Sequence, residues 1–404
     1  MNDPVPNPPL PPLGRRRFLQ GAAGLVVGGG LLAACGSDKS TATTSAPTTA
    51  APTTAPTTTA ASAADTTAAS TAGSTAASTA ASTAGSTAAT TAGSTAASTA
   101  GGAGTVGPAS GLIGLTLNGL NDYTKGVATG VYKAIEGTKY TLEVVQVNYD
   151  SAQELSAAEA FIAKGVVGLV IQPNTAESAG AAAQKAFEKG IPAGNCIWPG
   201  PSDADKYFVG VAQLDSVAGG KLIGEYLKAN VKPGKICVVQ GVVGQGFSEK
   251  IDEGLDAALK GTDFKVVVRD QGFFDRTKAV GVVETAFQAN PDLSIIIGYS
   301  ASMSDGIAQW LKDQGKQNVT HISSDCDDEL VTWMKTPYLK ATRYYSSAQT
   351  GLIAANAVLA SLKGNKPTFG TVIEQVIATA DNIDAVVAKN PYFFSDYKSK
   401  VQNI

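Results

Sequence analysis

Acid–base, nucleophilic or metal chemistry in this 404-residue chain would have to run through one histidine, four cysteines and a few carboxylate clusters. His321 stands inside a β-branched run, with no second histidine and no nucleophile elbow beside it, so a structural role is expected. Gly241-Val242-Val243-Gly244-Gln245-Gly246 has glycines that would let backbone approach a ligand. It lacks the dinucleotide spacing, and no lysine follows to complete a phosphate loop. Asp325-Cys326-Asp327-Asp328-Glu329 gathers carboxylates without the regular oxygen spacing of a calcium site, and the helix dipole favours acidic residues in a first turn. No catalytic residue, metal or cofactor is therefore expected. Apart from Cys35, the cysteines are Cys196, Cys237 and Cys326, an odd number without zinc-type spacing that allows at most one disulfide.

The elements that would position a binding site begin well inside the chain. Arg15-Arg16-Arg17 precedes an apolar run of about 15 residues and the small residues of Leu32-Ala33-Ala34-Cys35, the pattern of an export signal too short to span a membrane stably. Arg15-Arg16 with Phe18-Leu19 resembles a twin-arginine signal, and Leu32-Ala33-Ala34-Cys35 resembles a lipobox, which implies that residues 1–35 end at a lipidated Cys35. Residues 36–109 are almost all Thr, Ala, Ser and Gly, with no aromatic or large aliphatic side chain between Lys39 and Thr105. Such side chains bury too little apolar area to offset the entropy of ordering, so a disordered linker is expected, with a mean reach of about 45 Å.

About 295 residues remain, enough for two domains with their own cores. A formal net charge of −3, without a basic stripe, argues against a nucleic-acid partner. Short β-branched runs alternate with segments of helical period from Gly111 to Leu362. This predicts an α/β fold of two doubly wound parallel-sheet lobes, with a ligand cleft beyond the carboxyl ends of the strands.

A resemblance now becomes specific. Thr116-Leu117-Asn118, Ile171-Gln172-Pro173-Asn174, Ile191-Pro192, the Asp215 to Lys221 crossover, Gln240 to Gly244, Phe274-Asp275-Arg276, Ser323-Ser324-Asp325 and Gln349-Thr350-Gly351 occur in the order and spacing of the ribose-type periplasmic sugar-binding proteins. The chain resembles that family from Ser110 to about Ala378. The resemblance implies a three-crossing hinge near 213–214, 345–346 and 373–374. The lobes become 110–213 plus 346–373 and 214–345 plus 374–404, and residues 381–404 are expected to wrap one lobe as an extra helix.

The same resemblance implies a sugar ring stacked between aromatic side chains and held at its edges by polar groups. The matching positions are Asn118, Asp122, Tyr123, Phe274, Ser300, Asp325 and Tyr345, with Gln245 from the glycine turn as a further ligand contact. Three departures stand out. Ile197-Trp198 replaces an acidic and a basic residue of the ribose binders, Ile251 or Glu249 stands where they carry a second arginine, and Tyr345 replaces a hinge glutamine, so Trp198 joins the candidate contacts and ribose itself is disfavoured. Arg343, on the same strand face as Tyr345, is a candidate either to pair with Asp325 or to meet an acidic ligand group, the alternative being a lobe-surface position.

The expected protein is the substrate-binding lipoprotein of an ATP-driven (ABC) importer, not an enzyme. It would be a monomer on the outer face of the cytoplasmic membrane, taking a monosaccharide, deoxysugar or cyclitol to a membrane permease. The alternatives are a lipoprotein sensor for a nucleoside or aromatic compound, and an extracytoplasmic enzyme.

Overall fold

The computed structural model of the protein describes residues 106–197 and 202–404. The export signal, Cys35, nearly all of the linker and Trp198 lie outside the described residues. The first lobe starts with β1 (Gly111–Leu117), α1 (Asp122–Ile135), β2 (Tyr140–Gln146), α2 (Ser151–Lys164), β3 (Gly168–Ile171), α3 (Ala176–Glu188), β4 (Ala193–Asn195) and β5 (Gly210–Gln213). The second holds α4 (Ser216–Asn230), β6 (Lys235–Gln240), α5 (Phe247–Leu259), β7 (Lys265–Gln271), α6 (Arg276–Ala289) and β8 (Leu293–Gly298). It continues with α7 (Ala301–Asp313), β9 (Thr320–Ser324), α8 (Asp328–Met334) and β10 (Ala341–Tyr344). The chain then returns through α9 (Ser347–Leu362) and β11 (Gly370–Val372), and crosses once more to β12 (Val376–Ala378) and α10 (Ile383–Lys389).

The strands form two six-stranded sheets, ordered β11-β5-β4-β3-β1-β2 and β12-β10-β9-β8-β6-β7. Every pairing is parallel except β10 with β12. The sequence explains this directly, because a parallel sheet covered on both faces needs strands without a polar side. Leu169, Val170 and Ile171 in β3 and Ile295, Ile296 and Ile297 in β8 are all fully buried. Each such side chain contributes about 1.5 to 3 kcal/mol by leaving water. The fold is the expected one, two α/β lobes and three hinge crossings. The first and third crossings run side by side, where Ile373 N donates to Gln213 O at 2.7 Å and Gln375 Nε2 to Asp215 O at 2.8 Å.

Both ends of the folded part differ from expectation. Gly107 N donates to Leu362 O at 2.8 Å and the Tyr140 hydroxyl to Pro108 O at 2.7 Å, so the first lobe already holds the chain a few residues before Ser110. At the other end, residues 374–404 do not stay with the second lobe, nor do 381–404 wrap a single lobe. Ile383 of α10 is buried in the second lobe's core, but Phe393, Val401 and Ile404 pack into the first lobe's core beside Val127 and Val131. The chain crosses on its way, as Ser347 Oγ and Ala348 N both donate to Tyr392 O, at 2.7 and 3.2 Å. The reason is apolar area: three large side chains past Asn390 need cover, and the exposed flank of α1 supplies it.

Candidate functional site

Most helices begin on an Asn, Asp, Ser or Thr whose side chain accepts a free backbone N–H of the first turn. At the facing ends of the two sheets some of these caps are also cavity residues. Asn121 caps α1 in a reciprocal box with Thr124, Ser300 caps α7, and Asp327 caps α8 through Leu330 N at 2.8 Å. Strand ends and helix starts from both lobes therefore converge on one cavity of about 60 Å³. Since one water needs roughly 10 to 15 Å³ by this measure, a single small molecule fits here and an oligosaccharide does not.

Of the residues singled out from sequence, Asn118, Asp122, Tyr123, Gln245, Phe274, Ser300, Asp325 and Tyr345 line this cavity. Trp198 lies outside the described residues, next to the cavity-lining Ile197. Arg343 is placed differently from either expectation. It is fully buried in β10, behind the wall, and it is neither on the lobe surface nor ion-paired with Asp325. Its guanidinium lies 4.9 Å from the Tyr345 ring and 5.4 Å from the Phe247 ring, and its Nε donates to Ser324 Oγ at 3.0 Å. Period-2 reasoning put it on the correct face relative to Tyr345 but could not show that the tyrosine ring would cover it.

The aromatic walls come from unexpected neighbours as well. Phe274 of the second lobe stacks on Tyr149 of the first, with ring centres 5.9 Å apart and planes at 25°. Tyr123 meets Tyr345 edge-on at 6.0 Å. Tyr149, Asn121, Gln172, Phe247, Tyr299, Ser302 and Asp327 are cavity residues that sequence reasoning missed. Gln172 and Asp327 sat inside recognisable motifs, and strand-end position alone would have flagged them. Tyr149 carried no signal in its neighbours; its φ of +58° turns it into the cleft.

That strain is systematic. Among the described residues, the non-glycine residues with positive φ are Asn148, Tyr149, Phe273, Phe274 and Asp325, and each lines the cavity or adjoins a residue that does. Left-handed backbone costs an ordinary residue about 1 to 3 kcal/mol and persists only where its surroundings enforce it. Here Ser302 Oγ donates to Phe274 O at 3.1 Å, and Asn121 Nδ2 donates to the Tyr149 hydroxyl at 3.1 Å. Asp325 Oδ1 accepts Ala301 N at 2.6 Å while its own N–H donates to Arg343 O at 2.9 Å. Burial pushes the Asp325 carboxyl well above the usual range, and the Ala301 N–H only partly opposes this.

Across the cleft Gln245 Nε2 donates to Asn174 Oδ1 at 2.8 Å. Asn174 in turn rests on the buried Glu154, whose Oε1 accepts Asn174 N at 3.2 Å and whose Oε2 accepts the Ser178 hydroxyl. Burial pushes Glu154 up from 4.5 to about 7, against the pull of those two bonds. A folded-state value above the unfolded one means that the native protein holds a proton the unfolded chain has released. Stability from this group is therefore fully present below pH 4.5 and declines until about pH 7. Glu154→Gln should remove that decline, so relative to wild type the variant should gain on the order of 3 kcal/mol between pH 4.5 and 7.5. Urea unfolding of both proteins across that range tests this, and parallel pH profiles would show that Glu154 is ionised in the fold.

His321 is fully buried in β9 with Nδ1 against Tyr338 O at 3.0 Å, and burial lowers its pKa to about 4. It takes no part in the cavity. Cys196, Cys237 and Cys326 are all buried and free. No group of His, Cys, Asp or Glu suited to holding a metal occurs among the described residues.

Comparison with known proteins gives the architecture a family. Residues 113–366 match the model of the periplasmic binding protein domain. The ribose import binding protein RbsB of Salmonella typhimurium is 26% identical over 260 residues, covering 64% of this chain and 87% of that protein. The xylitol-binding protein of Mycolicibacterium smegmatis is 26% identical over 287 residues, covering 68% and 79%. Among solved structures, an ABC transporter solute-binding protein from Agrobacterium vitis with bound D-fucose superposes with a TM-score of 0.64 at 24% identity, over 69% of this chain and 99% of that one.

Proposed function

Because the chain belongs to the periplasmic binding protein domain family, we propose that it is the substrate-binding lipoprotein of an ABC importer. It captures one small polyol, a monosaccharide, deoxysugar or cyclitol, between its lobes and delivers it to a membrane permease. The observation that carries this reading is the cleft itself: strand ends from both lobes present stacked rings and polar edges around a space the size of one small ring. Aromatic faces cover the C–H faces of a sugar, and amides and carboxylates meet its hydroxyls. The ribose, xylitol and D-fucose in the names of its relatives are consistent with that chemistry. In this reading Asn118, Asp122, Gln245, Ser300 and Asp325 bind hydroxyls, and Tyr123, Phe274, Tyr345 and Trp198 supply apolar faces. Arg343 acts from behind the wall, by holding Tyr345.

Thermal-shift screening of the full chain against monosaccharides, polyols, cyclitols and nucleosides tests the proposal. Saturable stabilisation by a polyol supports it, while stabilisation by nucleosides alone would favour the sensor reading. The anchor is tested separately. Mass spectrometry of detergent-extracted membranes should find an acylated N-terminal Cys35, whereas a protein wholly in the soluble fraction with an N-terminus elsewhere would remove the lipoprotein assignment.

A further inference from the structure

The hydrogen-bonding capacity of the cleft is lopsided. Asn118 Nδ2 donates to Pro173 O at 3.1 Å, an orientation a carbonyl partner fixes, since it can only accept. One amide hydrogen each of Asn121 and Gln245 is committed, to the Tyr149 hydroxyl and to Asn174, and Ser302 Oγ donates to Phe274 O. The Tyr299 hydroxyl donates away from the cavity to Asp252 Oδ1 at 2.5 Å. The carboxylates of Asp122, Asp325 and Asp327 line the space, and beside them Gln172, 2% exposed, keeps its Oε1 buried without a partner. Asp325 and Asp327 each use Oδ1 on a backbone N–H, and the Asp327 carboxyl also shares a hydrogen bond with the buried carboxyl of Asp305.

The charge is equally one-sided. Asp122 from the first lobe and Asp325 and Asp327 from the second line one cavity, and no Lys, Arg or His does so among the described residues. Residues 198–201, beside Ile197, are Trp, Pro, Gly and Pro and add no base. Lys125 lies 3.6 Å from Asp122 one turn along α1, outside the cavity; Arg276 pairs with Asp305 behind Asp327, and Arg343, beneath Tyr345 and Phe247, favours the charged form of Asp325 from behind the wall. Burial is the main cause of the raised carboxyls of Asp325 and Asp327, the latter at about 6, and the Asp122 charge raises both further. Carboxylates brought together from two lobes repel as the cleft closes. A cation between them turns that repulsion into attraction, and the surrounding ring faces favour it as well.

Resting on the reading of the cleft as a polyol site, we propose that its ligand is a cationic amino polyol, an amino sugar or aminocyclitol, whose ammonium group lies between Asp122 and the Asp325–Asp327 pair. A hydroxyl donates one hydrogen and also accepts; an ammonium donates three and accepts none, which is what an acceptor-rich, base-free wall matches. The same wall excludes uronic acids and sugar phosphates.

Calorimetry with the full chain at pH 7 tests this with matched sets: glucosamine, N-acetylglucosamine and glucose; galactosamine, N-acetylgalactosamine and galactose; glucamine and glucitol. At least one amine should bind tenfold or more tightly than its neutral counterparts. Asp122→Asn, a change at a largely exposed side chain, should weaken that amine at least tenfold more than it weakens the neutral counterpart, whose hydroxyl an asparagine can still meet. Neutral members binding as well as or better than the amines, or an amine preference that survives Asp122→Asn, would overturn the cation assignment and leave the polyol reading standing. If no member of any set binds but a neutral polyol from the thermal-shift screen does, the cation assignment falls; if neither binds, the polyol reading itself fails and this inference fails with it.

Discussion

Phe274→Ala should weaken ligand binding by at least about thirtyfold, and Tyr149→Ala should do nearly the same. The two rings stack on each other from opposite lobes, so each is both a wall for the ligand and part of the seam that closes over it. A covered aromatic ring buries roughly 150 to 250 Å², and truncation of such an anchor costs about 2 kcal/mol or more of binding. Because the residues touch, the losses should not add: the double variant should bind better than the product of the two single losses. Isothermal titration with the ligand found by screening measures all four proteins. Full affinity in Phe274→Ala would show that the turn after β7 is no part of the site.

Gly241→Ala adds one methyl group and should still cost at least tenfold in affinity. A Cβ on Gly241 would lie 2.1 Å from Cζ of Phe274, far inside contact distance, so the ring must leave its seat. The backbone there has no positive φ, so alanine is free to occupy that conformation and the effect is steric, aimed at one ring. Gly119 stands in the same relation to Tyr149, with a Cβ placed 2.3 Å from its ring. Expelling a strained residue from its left-handed turn relieves part of its cost, so the loss of stability should be smaller than the loss of binding. Chemical denaturation beside titration separates the two. Unchanged affinity in both alanine variants would mean that neither ring holds the position the ligand needs.

These two experiments probe the part of the site that is hardest to read from residues alone. The strands and helices follow from period and composition, because a buried parallel strand must be apolar on both faces and a helix between strands must show a stripe. Gly111–Leu117, Lys235–Gln240 and Leu293–Gly298 are strands inside the stretch whose alternation predicts them. β11 and β12, three residues each, escaped notice because so short a run has no period to detect. Helix starts follow their caps: α7 begins at Ala301 because Ser300, directly after a strand end, caps its first turn.

The sequence by itself determined two doubly wound lobes through its alternation, and its resemblance to the sugar-binding family implied the crossing points and the strand-end residues of the cleft. Alternation and strand-end position are local properties, written in consecutive residues. Only the tertiary structure decided that Phe274 stacks on Tyr149, that Arg343 lies beneath Tyr345, and that residues past Asn390 cross back to the first lobe. Each of these depends on surfaces far apart in the chain and on backbone held in sparsely populated conformations, and the forces that enforce them act only once both lobes are packed.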